Sequence, residues 1–343
     1  MTQAMDGIDE ERVVPWLAAN VPALTPPVEF VYIAGGHSNL TYKVTDARGA
    51  AFVLRRPPLG HVLATAHDMG REHRIISALG PTPVPVAPVH AFCDDPSVNG
   101  APFYVMGFVE GHIIRDADIA EAVLTPAQRR RAGESLVDVL ADIHAVDPEA
   151  VGLGQLGRRE GYIERQLNRW YKQFQASQTR ELPQVDQVYR RLSAAIPEQG
   201  PATIVHGDYR LDNCMVDDEG AVNAVLDWEI CTLGDPLADL GLLMVYWTAP
   251  GEEGLGALTS PTVVAGFPER GELLERYAAR SGRDVSAIDY YQAFGYWKLA
   301  CIVEGVYARY LGGALGDDAT GFDGYDERVV MLADRAEEAA AKV

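Results

Sequence analysis

Ile204-Val205-His206-Gly207-Asp208-Tyr209-Arg210-Leu211-Asp212-Asn213, followed by Ala224-Val225-Leu226-Asp227-Trp228-Glu229, is the most informative part of this 343-residue chain. An aspartate leads a loop. An asparagine follows five residues later, and an apolar strand delivers a second aspartate fourteen residues after that. A single Asp or Asn in a loop is usually a cap or a turn residue, and Asp212-Asn213 alone would be read as turn chemistry. Three such residues in register, with Leu233-Gly234-Asp235-Pro236-Leu237-Ala238-Asp239-Leu240-Gly241 close behind, are much harder to assign to turns.

The residue types suit phosphoryl transfer. That reaction needs a hydroxyl held in line and cations that neutralise phosphate charge. A carboxylate beside the hydroxyl orients it and accepts its proton, a role that falls to Asp208. Magnesium prefers hard oxygen ligands and keeps several waters. Asn213 offers an amide oxygen, and Asp227 a carboxylate that can bridge metal and phosphates. The expected cofactors are Mg2+ and a nucleotide, ATP or GTP, as phosphoryl donor.

Outward from this stretch, length and composition set bounds. A chain of 343 residues suits two lobes better than one core. The net charge of −20 repels nucleic-acid backbones and anionic membranes, so neither is expected as a partner. Excess carboxylate also keeps a protein soluble, and net charge says little about any one cleft. Cys93, Cys214, Cys231 and Cys301 form no CxxC pair and read as reduced, buried thiols. The first twenty residues carry Asp6, Asp9, Glu10 and Glu11 and lack a basic stretch before an apolar run, so no signal peptide is expected. No apolar run approaches the roughly 20 residues needed to span a bilayer. The expected localisation is cytoplasmic, as a monomer or homodimer.

The first 109 residues read as an antiparallel sheet with one long helix. Glu11 to Ala19 is a short amphipathic helix. Strands are expected at Val28 to Ile33, Leu40 to Thr45, Ala51 to Arg55, Val86 to Phe92 and Pro102 to Val109, with turns at Gly35-Gly36 and Asp46 to Gly49. The long helix is Asp68 to Leu79, with Ile75, Ile76 and Leu79 on its apolar face and Gly80 as its stop. Further on, Ala132, Leu136, Leu140 and Ile143 recur at helical spacing in Ala127 to Ala145. Helices are also expected at Gly161 to Ser177, Val185 to Ala195, Tyr290 to Leu311 and Asp326 to Ala341. A strand pair, Ala202 to Val205 and Val222 to Leu226, interrupts them. The boundary falls near Gly107 to Gly111, which divides one α+β bilobal domain into residues 1–109 and 110–343.

The chain resembles the aminoglycoside phosphotransferase and choline kinase superfamily, which shares the protein-kinase-like fold. The resemblance rests on the segments 204–213 and 224–229, on the Leu233 to Gly241 segment, on Leu140-Ala141-Asp142-Ile143-His144-Ala145-Val146-Asp147 and on Gly161-Tyr162-Ile163-Glu164-Arg165-Gln166. Protein kinases share the Asp-to-Asn spacing and also use a later aspartate for metal. More narrowly, the chain is similar to kinase domains related to those fused to acyl-CoA dehydrogenases in some animal proteins. The resemblance implies a small antiparallel β lobe with one long helix, a larger helical lobe, and a small-molecule kinase. It assigns His206 to bracing the loop rather than to acting as base. Asp235 and Asp239 are expected to hydrogen-bond that loop or cap the next helix. Arg210 either touches the transferring phosphate or lies at the surface.

A nucleotide site is expected in the N-terminal region. Gly35, Gly36, Ser38 and Asn39 are candidates for a phosphate-covering loop, although Gly-Gly by itself usually marks a hairpin. Many kinases end the third strand with a lysine that pairs with a helix glutamate. Here Arg55 stands in its place with Glu72 as partner, and Arg56 is the alternative if the register slips by one. Backbone near Phe108 and Val109 is expected to read the adenine edge. The acceptor should be lined from among Tyr162, Arg165, Trp170, Tyr246, Trp247, Tyr290, Tyr291, Tyr296 and Trp297, most of which helical spacing assigns to core. Glu252, Glu253 and Asp289 would serve a polycationic aminoglycoside. The narrower resemblance implies a hydroxyacyl-CoA or a related hydroxy-metabolite. An aminoglycoside, a choline-like substrate and a nonphosphorylating ligand-binding module are the alternatives.

Overall fold

The computed structural model describes residues 5–33, 39–59, 68–252, 254–255, 260–313 and 324–343. The chain forms two units, Met1–Glu110 with Asn223–Glu229, and Gly111–Val222 with Ile230–Val343.

The first unit runs α1 (Glu10–Asn20), β1 (Val28–Tyr32), β2 (Leu40–Asp46), β3 (Ala51–Arg56), α2 (Met69–Leu79), β4 (Val89–Cys93), the one-turn α3 (Pro96–Asn99) and β5 (Phe103–Gly107). Its strands make an antiparallel sheet in the order β1-β2-β3-β5-β4. Strand alternation sorts the side chains. Phe52 and Leu54 of β3 join Phe30, Val44, Phe103 and Val105 in a core that Val13 and Leu17 of α1 close, the latter two one helical turn apart. Asp46 ends β2 with a tight turn, its carboxylate accepting from the N–H groups of Arg48, Ala50 and Thr25. Helix α2 begins at Asp68, whose side chain accepts from the Arg71 N–H. Strand β4 starts three residues later than its apolar run suggests, because Pro88 has no N–H for a ladder.

The second unit contributes α4 (Ala117–Val123), α5 (Pro126–Ala145), α6 (Tyr162–Ser177), α7 (Pro183–Ala194), β6 (Thr203–Val205) and β7 (Cys214–Val216). The chain then passes through β8 (Val222–Val225) and returns as β9 (Thr232–Gly234), α8 (Pro236–Tyr246), α9 (Arg270–Ser281), α10 (Ile288–Leu311) and α11 (Tyr325–Ala340). Thr125 and Gln128 close a capping box at the start of α5, and Ala132, Leu136, Leu140 and Ile143 are its fully buried face.

One expected pairing is corrected. Thr203–Val205 pairs antiparallel with Thr232–Gly234, not with the 222–226 segment. Each strand has three residues, too short for alternation to announce its partner. Helices α4 and α9 also escape the sequence reading. In α9 only Leu273 and Tyr277 are buried, so its stripe is two residues long. All four cysteines are free and buried. Among the described residues no helix is long and apolar enough to cross a membrane.

Helices α8 and α10 touch where a glycine permits it. A Cβ on Gly241 would lie 2.5 Å from the Cβ of Tyr291 and 2.6 Å from its carbonyl carbon. This contact aligns one face of α10, on which Tyr291, Gly295 and Lys298 follow at helical spacing. Gly241→Ala should therefore cost about 1–3 kcal/mol through overpacking. Gly271→Ala in α9 meets nothing within 4 Å and should stabilise by about 0.5–1 kcal/mol through helix propensity. Thermal unfolding of the two variants should show midpoint shifts of opposite sign.

Candidate active site

In the first unit, the alternation of β3 separates its two arginines. Arg56 follows Phe52 and Leu54 onto the α1 face, where its Nη1 donates to the carbonyls of Gly7 (2.5 Å) and Asn99 (3.0 Å). Arg55 faces α2. Its Nε lies 3.2 Å from Glu72 Oε2, and its Nη2 donates to Asp227 Oδ1 at 2.8 Å. Burial works against the Arg55 charge, but Glu72, Tyr104, Asp227 and Glu229 outweigh it and hold its pKa above the ordinary arginine value. Burial pushes the Glu72 carboxyl up, while Arg55, the Tyr104 hydroxyl and the Trp228 N–H draw it back.

Asp227 is held at φ 61°, the one non-glycine residue with positive φ among those described. Asp tolerates this left-handed region better than most residues do. Nearby, Glu229 accepts from Asn39 Nδ2 at 3.2 Å through its side chain and from Arg71 Nη1 at 3.1 Å through its carbonyl. The Phe108 N–H is taken up by the Ala51 carbonyl at 3.3 Å, and Lys43 Nζ sits 4.2 Å from the Phe108 ring centre. Val109 follows, half-buried. Gly35, Gly36 and Ser38 lie outside the described residues.

In the second unit, β6 delivers the loop that carries Asp208. Gly207 has φ 88°, and a Cβ there would lie 3.1 Å from the Ile230 side chain, so glycine fits where other residues would be strained. Asp239, one turn into α8, accepts from the His206 N–H (2.6 Å) and the Gly207 N–H (2.8 Å). His206 is fully buried, and its Nδ1 accepts from the Asp208 N–H at 3.3 Å. That nitrogen therefore braces the loop. Asn213 Nδ2 donates to the Asp208 carbonyl (2.8 Å) and to Asp208 Oδ2 (2.9 Å). Arg210 lies with its Nε 3.5 Å from Asp208 Oδ2, its Nη2 3.0 Å from Asp212 Oδ2, and its guanidinium 4.8 Å from the Tyr246 ring centre. Burial pushes the Asp212 carboxyl up, and Arg210 draws it back. Tyr209 ties the loop to α5, donating its hydroxyl to the Leu136 carbonyl at 2.8 Å.

Behind the loop lies a buried network. His144 Nε2 is 3.4 Å from Asp239 Oδ2, and its Nδ1 is 2.7 Å from the Tyr277 hydroxyl. A neutral imidazole satisfies both if Nε2 carries the proton and Nδ1 accepts from tyrosine. Burial pushes the His144 pKa down, consistent with a neutral ring. Burial also opposes the Asp239 charge, but the bonds from His144 and the loop N–H groups prevail and hold its carboxyl below the ordinary value. Asp235 caps α8 through the Leu237 N–H and accepts from the Tyr291 hydroxyl at 2.6 Å.

Two features escaped the sequence reading. The pairing of His144 with Tyr277 depends on α9, which the reading lacked. Lys298 of α10 donates from Nζ to the Gly207 carbonyl at 3.0 Å. Its signal was available, because a lysine stands on a helix face otherwise made of buried apolar residues. Of the acceptor candidates, Tyr162, Trp247, Tyr290, Tyr291 and Trp297 are core, whereas Arg165, Trp170, Tyr246 and Tyr296 are half-buried.

Among the described residues no cluster of three or more His, Cys, Asp or Glu side chains could hold a metal. Magnesium takes one or two protein oxygens and completes its shell with water and phosphate. Asn213 and Asp227 are hard-oxygen donors of the right kind.

A sequence model described as the phosphotransferase enzyme family matches residues 29–290. Acyl-CoA dehydrogenase family member 10 of Mus musculus is 37% identical over 295 residues, which cover 84% of this chain and 27% of that protein. The chain thus spans about a quarter of that relative's length. A solved structure from Ralstonia eutropha, provisionally described as an aminoglycoside phosphotransferase, is 34% identical with a TM-score of 0.82, over 97% of this chain and 98% of its own. A thermostable aminoglycoside phosphotransferase mutant, solved with AMP-PNP and hygromycin B, shares the fold at 14% identity and a TM-score of 0.60, over 97% and 98% of the two chains.

The His144 network makes stability pH-dependent. With its folded pKa below the ordinary 6.5, the unfolded chain binds a proton that the folded ring refuses. Stability therefore falls as pH drops through 6.5, by at most about 1.4 kcal/mol per pH unit for this group. Melting temperatures between pH 7.5 and 5.5 should show this slope. His144→Gln should reduce it without abolishing it, because His73 and His90 are also lowered by burial.

Proposed function

We infer the function from the premise that the chain belongs to the phosphotransferase enzyme family. Its α+β, protein-kinase-like fold and its relatives make it a small-molecule kinase in the general sense. We further propose that it moves the γ-phosphoryl group of ATP or GTP onto a hydroxyl of a small metabolite, with hydroxyacyl-CoA thioesters as the acceptor class.

The observation that carries this reading is the Asp208 loop. Asp208 is held at its N–H by His206, while Asn213 binds both its carbonyl and its carboxylate. In the proposed step Asp208 orients the acceptor hydroxyl and takes its proton. The hydroxyl oxygen forms a bond to the γ-phosphorus, the bond from that phosphorus to the β-bridging oxygen breaks, and a nucleoside diphosphate leaves. Arg210 offers charge to the transferring phosphoryl group. Arg55, kept ionised and oriented by Glu72, contacts donor phosphates. Asn213 and Asp227 are each proposed as a hard-oxygen donor to magnesium, which would neutralise phosphate charge when bound. Asn39, Phe108 and Val109 belong to the proposed nucleotide site, as do Gly35, Gly36 and Ser38.

The relative solved with AMP-PNP supports an ATP-type donor. The acyl-CoA dehydrogenase relative supports a CoA-linked acceptor. An aminoglycoside fits less well. Glu252, one of the carboxylates that would attract a polycation, is paired with Arg270 through two N–H···O bonds of 2.8 and 2.6 Å.

The test is magnesium-dependent ATP and GTP turnover against a library of hydroxy-metabolites that includes hydroxyacyl-CoAs, aminoglycosides and choline. Turnover is expected with one acceptor class, and Asp208→Ala should lower kcat by about 10²–10⁴-fold, the usual span for a general base. Absence of both turnover with any acceptor and magnesium-dependent nucleotide binding would replace this reading with a ligand-binding module. In the same assay Arg55→Ala should raise the nucleotide KM more than Arg55→Lys does, since lysine keeps the charge that Glu72 and the phosphates need.

A further inference from the structure

The step described above leaves Lys298 without a part. Its side chain is on the buried face of α10, 9% exposed, with Nζ donating to the Gly207 carbonyl at 3.0 Å and 5.9 Å from the Trp170 ring centre. Burial pushes its pKa down and Arg169 adds to that, while Asp208 and Asp239 support the charge. A buried ammonium is poor material for stability, since an apolar side chain of similar volume is often neutral or better. Its use is better sought in what it holds.

Gly207 C=O and Asp208 N–H belong to one peptide unit, and a peptide unit is planar. Lys298 grips its oxygen, and His206 Nδ1 grips its N–H at 3.3 Å. Asp239 fixes the two preceding N–H groups, those of His206 and Gly207. A plane held at only one edge can rotate, and at a residue with φ 88° no Cβ limits that rotation. We propose that Lys298 is a positioning residue for Asp208: by holding the Gly207 carbonyl opposite the His206 brace, it sets the plane of the Gly207–Asp208 peptide and so the direction of the Asp208 carboxylate. Tyr291 and Gly295, on the same face of α10, bring the lysine to the loop by packing against α8.

The kinetic part of this inference rests on the kinase reading, and its structural part does not. The experiment therefore has two arms, both on the full chain. In hydrogen exchange read by mass spectrometry, Lys298→Met should raise exchange at the amides of 207–213 by at least tenfold. The core of α8 and α10 should stay protected, and the melting temperature should be unchanged or higher. In kinetics the same variant should lose at least tenfold in kcat while its nucleotide KM stays within twofold. Lys298→Arg, which keeps a charged donor, should recover part of both. Loop exchange like that of wild type overturns the proposal. So does loss of protection spread through α8 and α10 with a lower melting temperature, which would make Lys298 a core residue only. A mobile loop with unchanged kcat overturns it as well. If wild type shows neither turnover nor magnesium-dependent nucleotide binding, the kinase reading fails, and the exchange arm alone decides whether Lys298 holds the loop. Should the methionine variant not fold, Lys298→Gln is judged by the same criteria.

Discussion

A carboxylate fully out of water can persist only if both of its oxygens are hydrogen-bonded, and Asp239 is arranged around that requirement. It takes N–H groups from His206 and Gly207 and a ring nitrogen from His144. Removing one partner from such a group typically costs about 3–5 kcal/mol, far more than the group adds to stability when intact. The loop, α5 and α8 are therefore interlocked by chemistry as well as by shape. Tyr277 extends the constraint to α9: the Asp239 carboxylate can only accept, so His144 Nε2 carries the proton and Nδ1 is left to accept from the Tyr277 hydroxyl.

The first unit obeys the same rule with the signs exchanged. Arg55 is a buried cation, and it is tolerable because Glu72 and Asp227 flank it. Its neighbour Arg56 is satisfied differently, by the carbonyls of Gly7 and Asn99, and serves the packing of α1 and α3. In both units an internal charge converts a permissive backbone segment into one with a single low-energy arrangement. A reaction that requires in-line geometry benefits from that more than from added stability.

Local patterns were readable in the sequence and distant pairings were not. The stripe of α5, the start of α2 at Asp68 and the turn at Asp46 each lie within a dozen residues, where spacing and capping chemistry decide the outcome. The orientation of Arg55 was also within reach: Phe52 and Leu54 share one face of β3, so Arg56 joins them and Arg55 must point the other way. The pairing of β6 with β9 was out of reach. Its strands are three residues each, nearly thirty residues apart, and no alternation that short selects a partner. The Asp208, Asn213 and Asp227 positions stood out by spacing, but the groups that hold the Asp208 loop come from α5, α8, α9 and α10. Only the tertiary packing of those helices assembles them.

The left-handed backbone at Asp227 bears on what mutation can explore there. Glutamate would keep the charge, but its longer side chain lacks the local hydrogen bonding that lets aspartate occupy this region. Asparagine and glycine would accept the backbone and erase the charge. No single replacement preserves both properties. The position is an island in sequence space, and drift away from it ends either in a strained chain or in a neutral one. A chain descended from this one that carries Asn or Gly at 227 would thus keep the backbone turn while leaving Arg55 with Glu72 as its remaining carboxylate partner of the two described here.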